Sequence, residues 1–136
     1  MQKYTHLIFA AVFFEILNFI FHYPIYMSIF AFIGALIPDI DYKFYHRKIC
    51  HNLWFLLFCN FIGFYFKIFD ITVSIIFSIG FISHLFADAL THSGIRPFWP
   101  LGPKFHGPIK TGGFGEFLLL CIMIGFVFWI FGFFRF

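Results

Sequence analysis

Residues 71–90 read ITVSIIFSIGFISHLFADAL, an apolar run that carries His84 and Asp88 near its end. A helix of about 20 apolar residues is long enough to cross the hydrocarbon core of a bilayer. Ionisable side chains are costly inside a membrane and usually serve a function where they occur. The stretch therefore predicts a transmembrane helix that carries functional residues at one end.

The composition of the whole chain supports a membrane protein. Of its 136 residues, 62% are hydrophobic and 11% are charged, whereas soluble domains contain about 45–50% apolar and about 25% charged residues. A soluble protein this small cannot bury so much apolar surface, and the length allows one membrane-embedded domain, residues 1–136. The net charge of +3 is better explained by loop residues that set membrane topology than by binding to nucleic acid, which is not expected.

Further apolar segments accompany the run at 71–90, and all are expected to be helices. They cover residues 6–22, 24–38, 52–67 and 116–134. The last of them spans a bilayer comfortably, 24–38 is short, and the other two are marginal. A tilted or partly interfacial hairpin over 6–38 is an alternative for the first two. The prediction is an all-α, polytopic transmembrane helical bundle with about five membrane helices.

The distribution of positive charge predicts the orientation of this bundle. Five spans place the N-terminus, loop 39–51 and loop 91–115 on one side of the membrane. Of the nine Lys and Arg residues, all but Lys67 and Arg135 fall on that side. Because positively charged loops stay in the cytoplasm, both long loops are predicted to face the cytoplasm in an integral protein of the cell membrane.

The same threading brings most of the His and acidic residues to the cytoplasmic ends of the helices. These residues are His6, Asp39, Asp41, His46, His51, His84, Asp88, His92 and Glu116. His84 and Asp88, and likewise Asp88 and His92, are spaced so that each pair shares one face of a helix. Imidazole and carboxylate ligands suit zinc, with iron and manganese as alternatives. A divalent metal site is therefore predicted, against the simpler interpretation that polar side chains at helix ends lie among lipid headgroups.

Other catalytic chemistries find less support in the sequence. There is no GxSxG motif and no glycine-rich phosphate loop followed by Lys-Ser or Lys-Thr. Cys50 beside His51 is a weak candidate for a nucleophile, because neighbours in sequence need not form a catalytic pair. The cysteines, at 50, 59 and 121, have no CxxC spacing and indicate buried thiols rather than a disulfide framework.

Several short motifs, taken in order, give the chain a family resemblance. They are Thr5-His6, Leu36-Ile37-Pro38-Asp39-Ile40-Asp41, His46-Arg47 with His51, Ser83-His84 with Asp88-Ala89-Leu90-Thr91, and Pro97-Phe98-Trp99-Pro100. Together they resemble the YdjM-like family of membrane-bound, metal-dependent hydrolases over about residues 5–116. The resemblance implies a distant similarity to zinc-dependent phospholipase C enzymes and, by analogy, phosphoester hydrolysis.

The resemblance and the spacing together suggest roles for individual residues. The expected metal ligands are His6, Asp39, His46, His51, His84, Asp88 and His92, of which His92 rests on spacing alone. Asp41 or Glu116 would be a further ligand or a general base, and Arg47 would hold phosphate oxygens.

A water activated by the metal at the cytoplasmic membrane face would then cleave a phosphoester of a lipid or another amphiphile. The alternative is a non-enzymatic protein with a metal-binding, transport-related or structural role in the membrane. A transporter would place ionisable groups near the middle of the membrane, where the sequence offers Glu15.

Overall fold

The computed structural model describes residues 1–43 and 50–134, and α-helices dominate this part of the chain. The helices are α1 (Lys3–Phe21), α2 (Ser28–Leu36), α3 (Leu53–Tyr65), α4 (Ile71–Ala89) and α5 (Phe114–Phe134). Short 3-10 helices at Ile25–Met27 and Ile37–Lys43 flank α2. Within the described residues, extended pairing is limited to isolated bridges. The prediction of an all-α protein is therefore confirmed for these residues.

Two of these helices, α1 and α4, are long and apolar enough to cross a membrane, each with a mean hydropathy of 1.7. The remaining apolar helical segments that count by this criterion are 10–17 residues long, namely Ile25–Ile40, Leu53–Tyr65 and, within α5, Phe114–Ile130. The segment predicted at 24–38 is helical and short, as expected, but only the nine residues of α2 are α-helical, between its flanking 3-10 helices. Pro38 has no N–H group with which to continue the α-helical hydrogen bonds, so the chain tightens after Leu36.

The central helix of the fold is α4, which packs against α1, α2 and α3. Its closest neighbour is α2, because both helices carry glycine where they cross. A Cβ atom on Gly80 would lie 1.9 Å from the carbonyl oxygen of Ala31, and one on Gly34 would lie 2.2 Å from that of Phe77. Small residues let helix backbones approach closely in membrane proteins. The α2–α4 contact is therefore a backbone-to-backbone contact that a larger side chain would separate.

Polar side chains join α3 to α4. The Asn60 amide donates a hydrogen bond to Ser78 Oγ at 3.0 Å, and the Ser74 hydroxyl donates to Asn60 Oδ1. Hydrogen bonds of this kind hold helices together where no water is available. These three side chains satisfy one another, which gives them a structural role between the two helices.

The start of α1, the end of α2, the start of α3, the end of α4 and the start of α5 meet at one end of the helices, which we call the loop end. There the Gln2 N–H donates to Glu116 Oε1 at 2.8 Å, and the Leu53 N–H donates to the Pro97 carbonyl at 2.8 Å. The connection between α4 and α5 lies at this end, as do Asp39 and His51 from the two ends of loop 39–51. The loop end is therefore where the predicted metal ligands are brought together.

Candidate metal centre

His84 and Asp88 lie one turn apart near the C-terminal end of α4, and both are at most 1% exposed. The helix begins at the Asp70 cap, whose carboxylate accepts a hydrogen bond from the Val73 N–H at 2.8 Å. It continues unbroken through both residues, so the four-residue spacing directs them to one face. His84 Nε2 lies 3.7 Å from Asp88 Oδ2. The predicted pairing of His84 and Asp88 on one face is therefore confirmed.

Three more side chains from other segments join this pair. They are His6 in the second turn of α1, Asp39 in the 3-10 helix after α2, and His51 immediately before α3. Asn52 caps α3 by accepting a hydrogen bond from the Phe55 N–H at 2.8 Å, which fixes the chain next to His51. We call the five residues His6, Asp39, His51, His84 and Asp88 the His–Asp centre.

The ring nitrogens of the centre face its carboxylate oxygens at short range. His6 Nε2 lies 3.5 Å from Asp88 Oδ1, and His51 Nε2 lies 3.5 Å from Asp88 Oδ2. Asp39 Oδ1 lies 3.8 Å from the Nε2 atoms of both His51 and His84. Two groups of three, His6/Asp39/His84 and His51/His84/Asp88, each hold their ligand atoms within 4.8 Å of one another.

These distances are close to those expected around one metal ion. Zinc–nitrogen bonds of about 2.0–2.1 Å place neighbouring ligands of a tetrahedral ion about 3.3 Å apart. The Nε2 atoms of His84 and His51 are 3.2 Å apart, and the nitrogen–oxygen distances given above are only slightly longer. A small contraction of the side chains would therefore suffice for coordination.

The orientation of His84 is fixed by the neighbouring helix. Its Nδ1 atom lies 2.7 Å from the Ala35 carbonyl oxygen. A carbonyl oxygen only accepts, so Nδ1 carries the proton and Nε2 keeps its lone pair directed into the centre. Metal-binding histidines usually donate their other N–H in this way. Because one lone pair binds one ion, the two groups of three, which share His84, cannot each hold a separate ion through it.

Further contacts surround the same residues. The ring of His6 stacks on that of His84 with centroids 3.8 Å apart and planes 15° from parallel. Asp88 Oδ1 also accepts a hydrogen bond from the amino group of Met1 at 2.8 Å.

Burial raises the pKa of the Asp39 carboxyl above its ordinary value, while His51 opposes that shift. A bound cation would favour the charged carboxylate and reverse the effect of burial.

Comparison with known proteins identifies the family to which the chain belongs. The chain matches the family model described as YdjM inner membrane protein over residues 1–134. The chain belongs to this family. It is also similar to the uncharacterized protein YvsG of Bacillus subtilis (strain 168), with 34% identity over 71% of this chain and 72% of the relative. No solved structure matches it. Membership in the YdjM family supports a location in the cell membrane.

One predicted ligand of this YdjM family member does not join the centre. The expected helical pairing of Asp88 with His92 is wrong, because α4 ends at Ala89. Beyond it, Thr91 forms a bridge with Ile109 and the His92 side chain is exposed. The spacing rule failed because it assumes a helix that continues for four residues beyond Asp88.

Glu116 also lies outside both groups of three. It is 2% exposed and accepts hydrogen bonds from the Gln2 N–H at 2.8 Å, the Thr5 hydroxyl at 2.7 Å and the Gly112 N–H at 2.7 Å. These bonds join the start of α5 to the start of α1. These contacts give Glu116 a structural role, and its expected role as a base or further ligand stays a prediction.

The remaining predicted residues fall on loop 39–51. His46 and Arg47 lie outside the described residues, and so does the side chain of Asp41. Their expected roles as ligand, phosphate-binding residue and base stay predictions. Sequence reasoning missed Ala35, whose carbonyl orients His84. The available signal was the run of small residues Ala31, Gly34 and Ala35, which marks the face of α2 that approaches α4.

Proposed function

We propose that this YdjM family member binds a divalent metal ion at the His–Asp centre and hydrolyses a phosphoester of a membrane lipid or another amphiphile. The observation that carries the proposal is the convergence of three imidazoles and two carboxylates from four separate segments, one of which is α4. All but Asp39 are almost fully buried. The Met1 amino group already pairs with Asp88 Oδ1, and a cation would compensate the remaining carboxylate oxygens that face the imidazoles.

The chemistry of the donor atoms favours zinc, with manganese or iron as alternatives. Two carboxylates balance the charge of one divalent ion. The group His51, His84 and Asp88 supplies three protein ligands, as catalytic zinc sites commonly do, and leaves a fourth position for water or substrate. When bound, the ion would lower the pKa of water to about 7 and polarise a phosphoryl oxygen.

The protein side chains would have separate roles in metal binding, base catalysis and phosphate binding. The hydrogen bond from His84 to Ala35 keeps the imidazole in the tautomer that binds metal. Asp39, whose side chain is 21% exposed, is the member of the centre nearest to solvent and lies where a substrate would approach. Asp41 is our candidate for the general base. Arg47 would bind two phosphate oxygens through its planar guanidinium group.

We further propose that the chain is polytopic, with about five membrane helices and its loop end in the cytoplasm. Lys3, Arg96, Lys104 and Lys110 belong to the loop end, whereas Lys67 lies at the other end of α4. Such a bias places the richer side in the cytoplasm. A site at the end of the helices would receive an amphiphilic substrate sideways from the bilayer.

A transport-related role is the second candidate, and a specific residue favours it. Glu15 lies in the middle of α1 and is 8% exposed. Ionisable groups at this depth often mark a path for ions or protons. If transport is the function, Glu15→Gln would abolish it while leaving metal binding at the His–Asp centre intact.

The hydrolase proposal is tested with detergent-purified protein and a panel of phosphoesters that includes intact phospholipids. Hydrolysis should disappear after treatment with a chelator and return when zinc is added back. His84→Ala should be inactive under both conditions, and His92→Ala should behave like the wild type. A protein that binds metal but cleaves no member of the panel would favour the non-enzymatic alternative.

A further inference from the structure

A short hairpin at the loop end, residues 95–105, projects from the helices. Its two arms are joined at Ile95 and Phe105, which exchange backbone hydrogen bonds of 2.9 Å in each direction. Ile95 is 4% exposed and packs against Leu85 and its neighbours, while the Pro97 carbonyl accepts a hydrogen bond from Leu53. The base of this hairpin, which we call the 95–105 hairpin, is therefore firmly attached to α3 and α4.

Two positive residues lie on the two arms just beyond the bridged pair. Ile95 and Phe105 form an isolated antiparallel bridge, and Arg96 and Lys104 are the next residues toward the tip on the two arms, so their charges lie near each other. Both are exposed, and no carboxylate among the described residues forms an ion pair with either of them. Like charges that lie near each other repel. An anion bound between the two arms would remove this repulsion.

The tip of the same hairpin is apolar and exposed. Leu101 is 73% exposed, Phe98 46% and Trp99 36%. Tryptophan is concentrated where proteins meet the boundary between headgroups and acyl chains. A surface that combines apolar side chains with lysine or arginine is typical of segments that lie in an anionic membrane surface.

We propose that the 95–105 hairpin binds the anionic phospholipid surface of the bilayer that holds the helices. Arg96 and Lys104 contact lipid phosphates, and Trp99 and Leu101 enter the boundary between headgroups and acyl chains. The bilayer is the favoured partner because α4, a helix of spanning length, ends at Ala89, a few residues before the hairpin begins. This surface is separate from the His–Asp centre, so the proposal does not depend on hydrolysis.

The test uses the full chain with Trp99 as its sole tryptophan, obtained by Trp54→Phe and Trp129→Phe, in nanodiscs that contain brominated lipids. In phosphatidylglycerol nanodiscs, the emission maximum of Trp99 should shift to shorter wavelength, and the brominated lipids should quench the emission. Acrylamide, which is dissolved in the water, should quench it poorly. Quenching by the brominated lipids should be weaker in phosphatidylcholine and should fall as salt is added, because salt screens exposed charges. These measurements on the unaltered hairpin need no charge variant.

Two charge variants test which positive residues cause the difference in Trp99 quenching between the two lipids. Arg96→Gln with Lys104→Gln should remove the difference between the two lipids, whereas Lys67→Asn, at the other end of α4, should preserve it. Lys67 has a φ of 56°, a conformation that asparagine tolerates. Equal lipid quenching in both bilayers would overturn the proposal of an anionic surface. Trp99 fully open to acrylamide and insensitive to brominated lipid would overturn membrane contact altogether, and would favour a protein partner.

Discussion

His84 donates a hydrogen bond from Nδ1 to the Ala35 carbonyl oxygen, 2.7 Å away on the facing helix. The bond couples the packing of α2 on α4 to the orientation of the imidazole in the His–Asp centre. Because the two backbones meet through glycines at the same contact, any residue that separates the helices should also turn His84 away. Stability and metal binding are therefore linked through α2.

This link predicts the effect of a methyl group at Gly80. In Gly80→Ala the new Cβ would meet the Ala31 backbone at 1.9 Å, so α2 must move away. We expect the free energy of unfolding to fall by about 1–3 kcal/mol, the range typical of overpacked sites, together with a loss of bound metal. Thermal unfolding in detergent and metal analysis measure the two effects.

The control for this substitution is Gly125→Ala in α5, where nothing lies within 4 Å of the added Cβ. It should leave both stability and metal content near the wild-type values. If Gly80→Ala destabilises the protein yet binds metal normally, the α2–α4 contact does not orient His84.

Glu116 gives a prediction that separates a structural role from a catalytic one. Glu116→Ala leaves the buried Thr5 hydroxyl and the part-buried N–H groups of Gln2 and Gly112 without their acceptor. The expected loss of stability is about 1–3 kcal/mol, as for other unsatisfied buried groups. Metal content of the folded fraction should not change, and Leu118→Ala, at a half-exposed position on the same helix, serves as a control. Unaltered stability with lost metal would make Glu116 a ligand instead.

The sequence was sufficient for the parts of the centre that follow from local rules. The helical repeat and the length of the apolar run place His84 and Asp88 on one face of α4. The predicted alternation of membrane crossings brings His6, Asp39 and His51 to the same end. The sequence was insufficient where the backbone departs from regular helix. The end of α4 at Ala89 depends on bridges between residues distant in sequence, so His92 could not be excluded.

The role of Glu116 and the acceptor for His84 were hidden for a related reason. The hydrogen bond between Thr5 and Glu116 joins residues 111 positions apart, and a carbonyl such as that of Ala35 has no side-chain signature. Both depend on which helix faces meet, and composition does not specify that. Glycine and alanine in α2 did indicate a close contact, but not its partner.

Membrane orientation is tested by cysteine labelling. After replacement of Cys50, Cys59 and Cys121 by serine, single cysteines at Lys104 and Lys67 should react with a membrane-impermeant reagent from opposite sides. The basis is that these residues lie at opposite ends of α4, of which we propose that the more positive end faces the cytoplasm. Reaction of both positions from the same side would contradict a membrane-spanning α4.

Arg47 tests the proposed recognition of phosphate. Arg47→Lys keeps the positive charge but loses the planar, two-point contact with phosphate oxygens. Hydrolysis of a phosphoester should fall about tenfold or more, in line with roughly 2–4 kcal/mol for a lost transition-state contact, while metal content stays constant. Unchanged activity would mean that Arg47 contributes only to topology. Loss of metal as well as activity would mean that it positions a ligand.

Metal content is the most direct test of the central claim, that His6, Asp39, His51, His84 and Asp88 form one metal centre. Wild-type protein and His92→Ala, purified identically in detergent and exposed to zinc, should retain the same amount of zinc after dialysis. His84→Ala and Asp88→Ala should lose most of it while remaining helical by circular dichroism. Equal zinc in the wild type and in both centre variants would contradict the account.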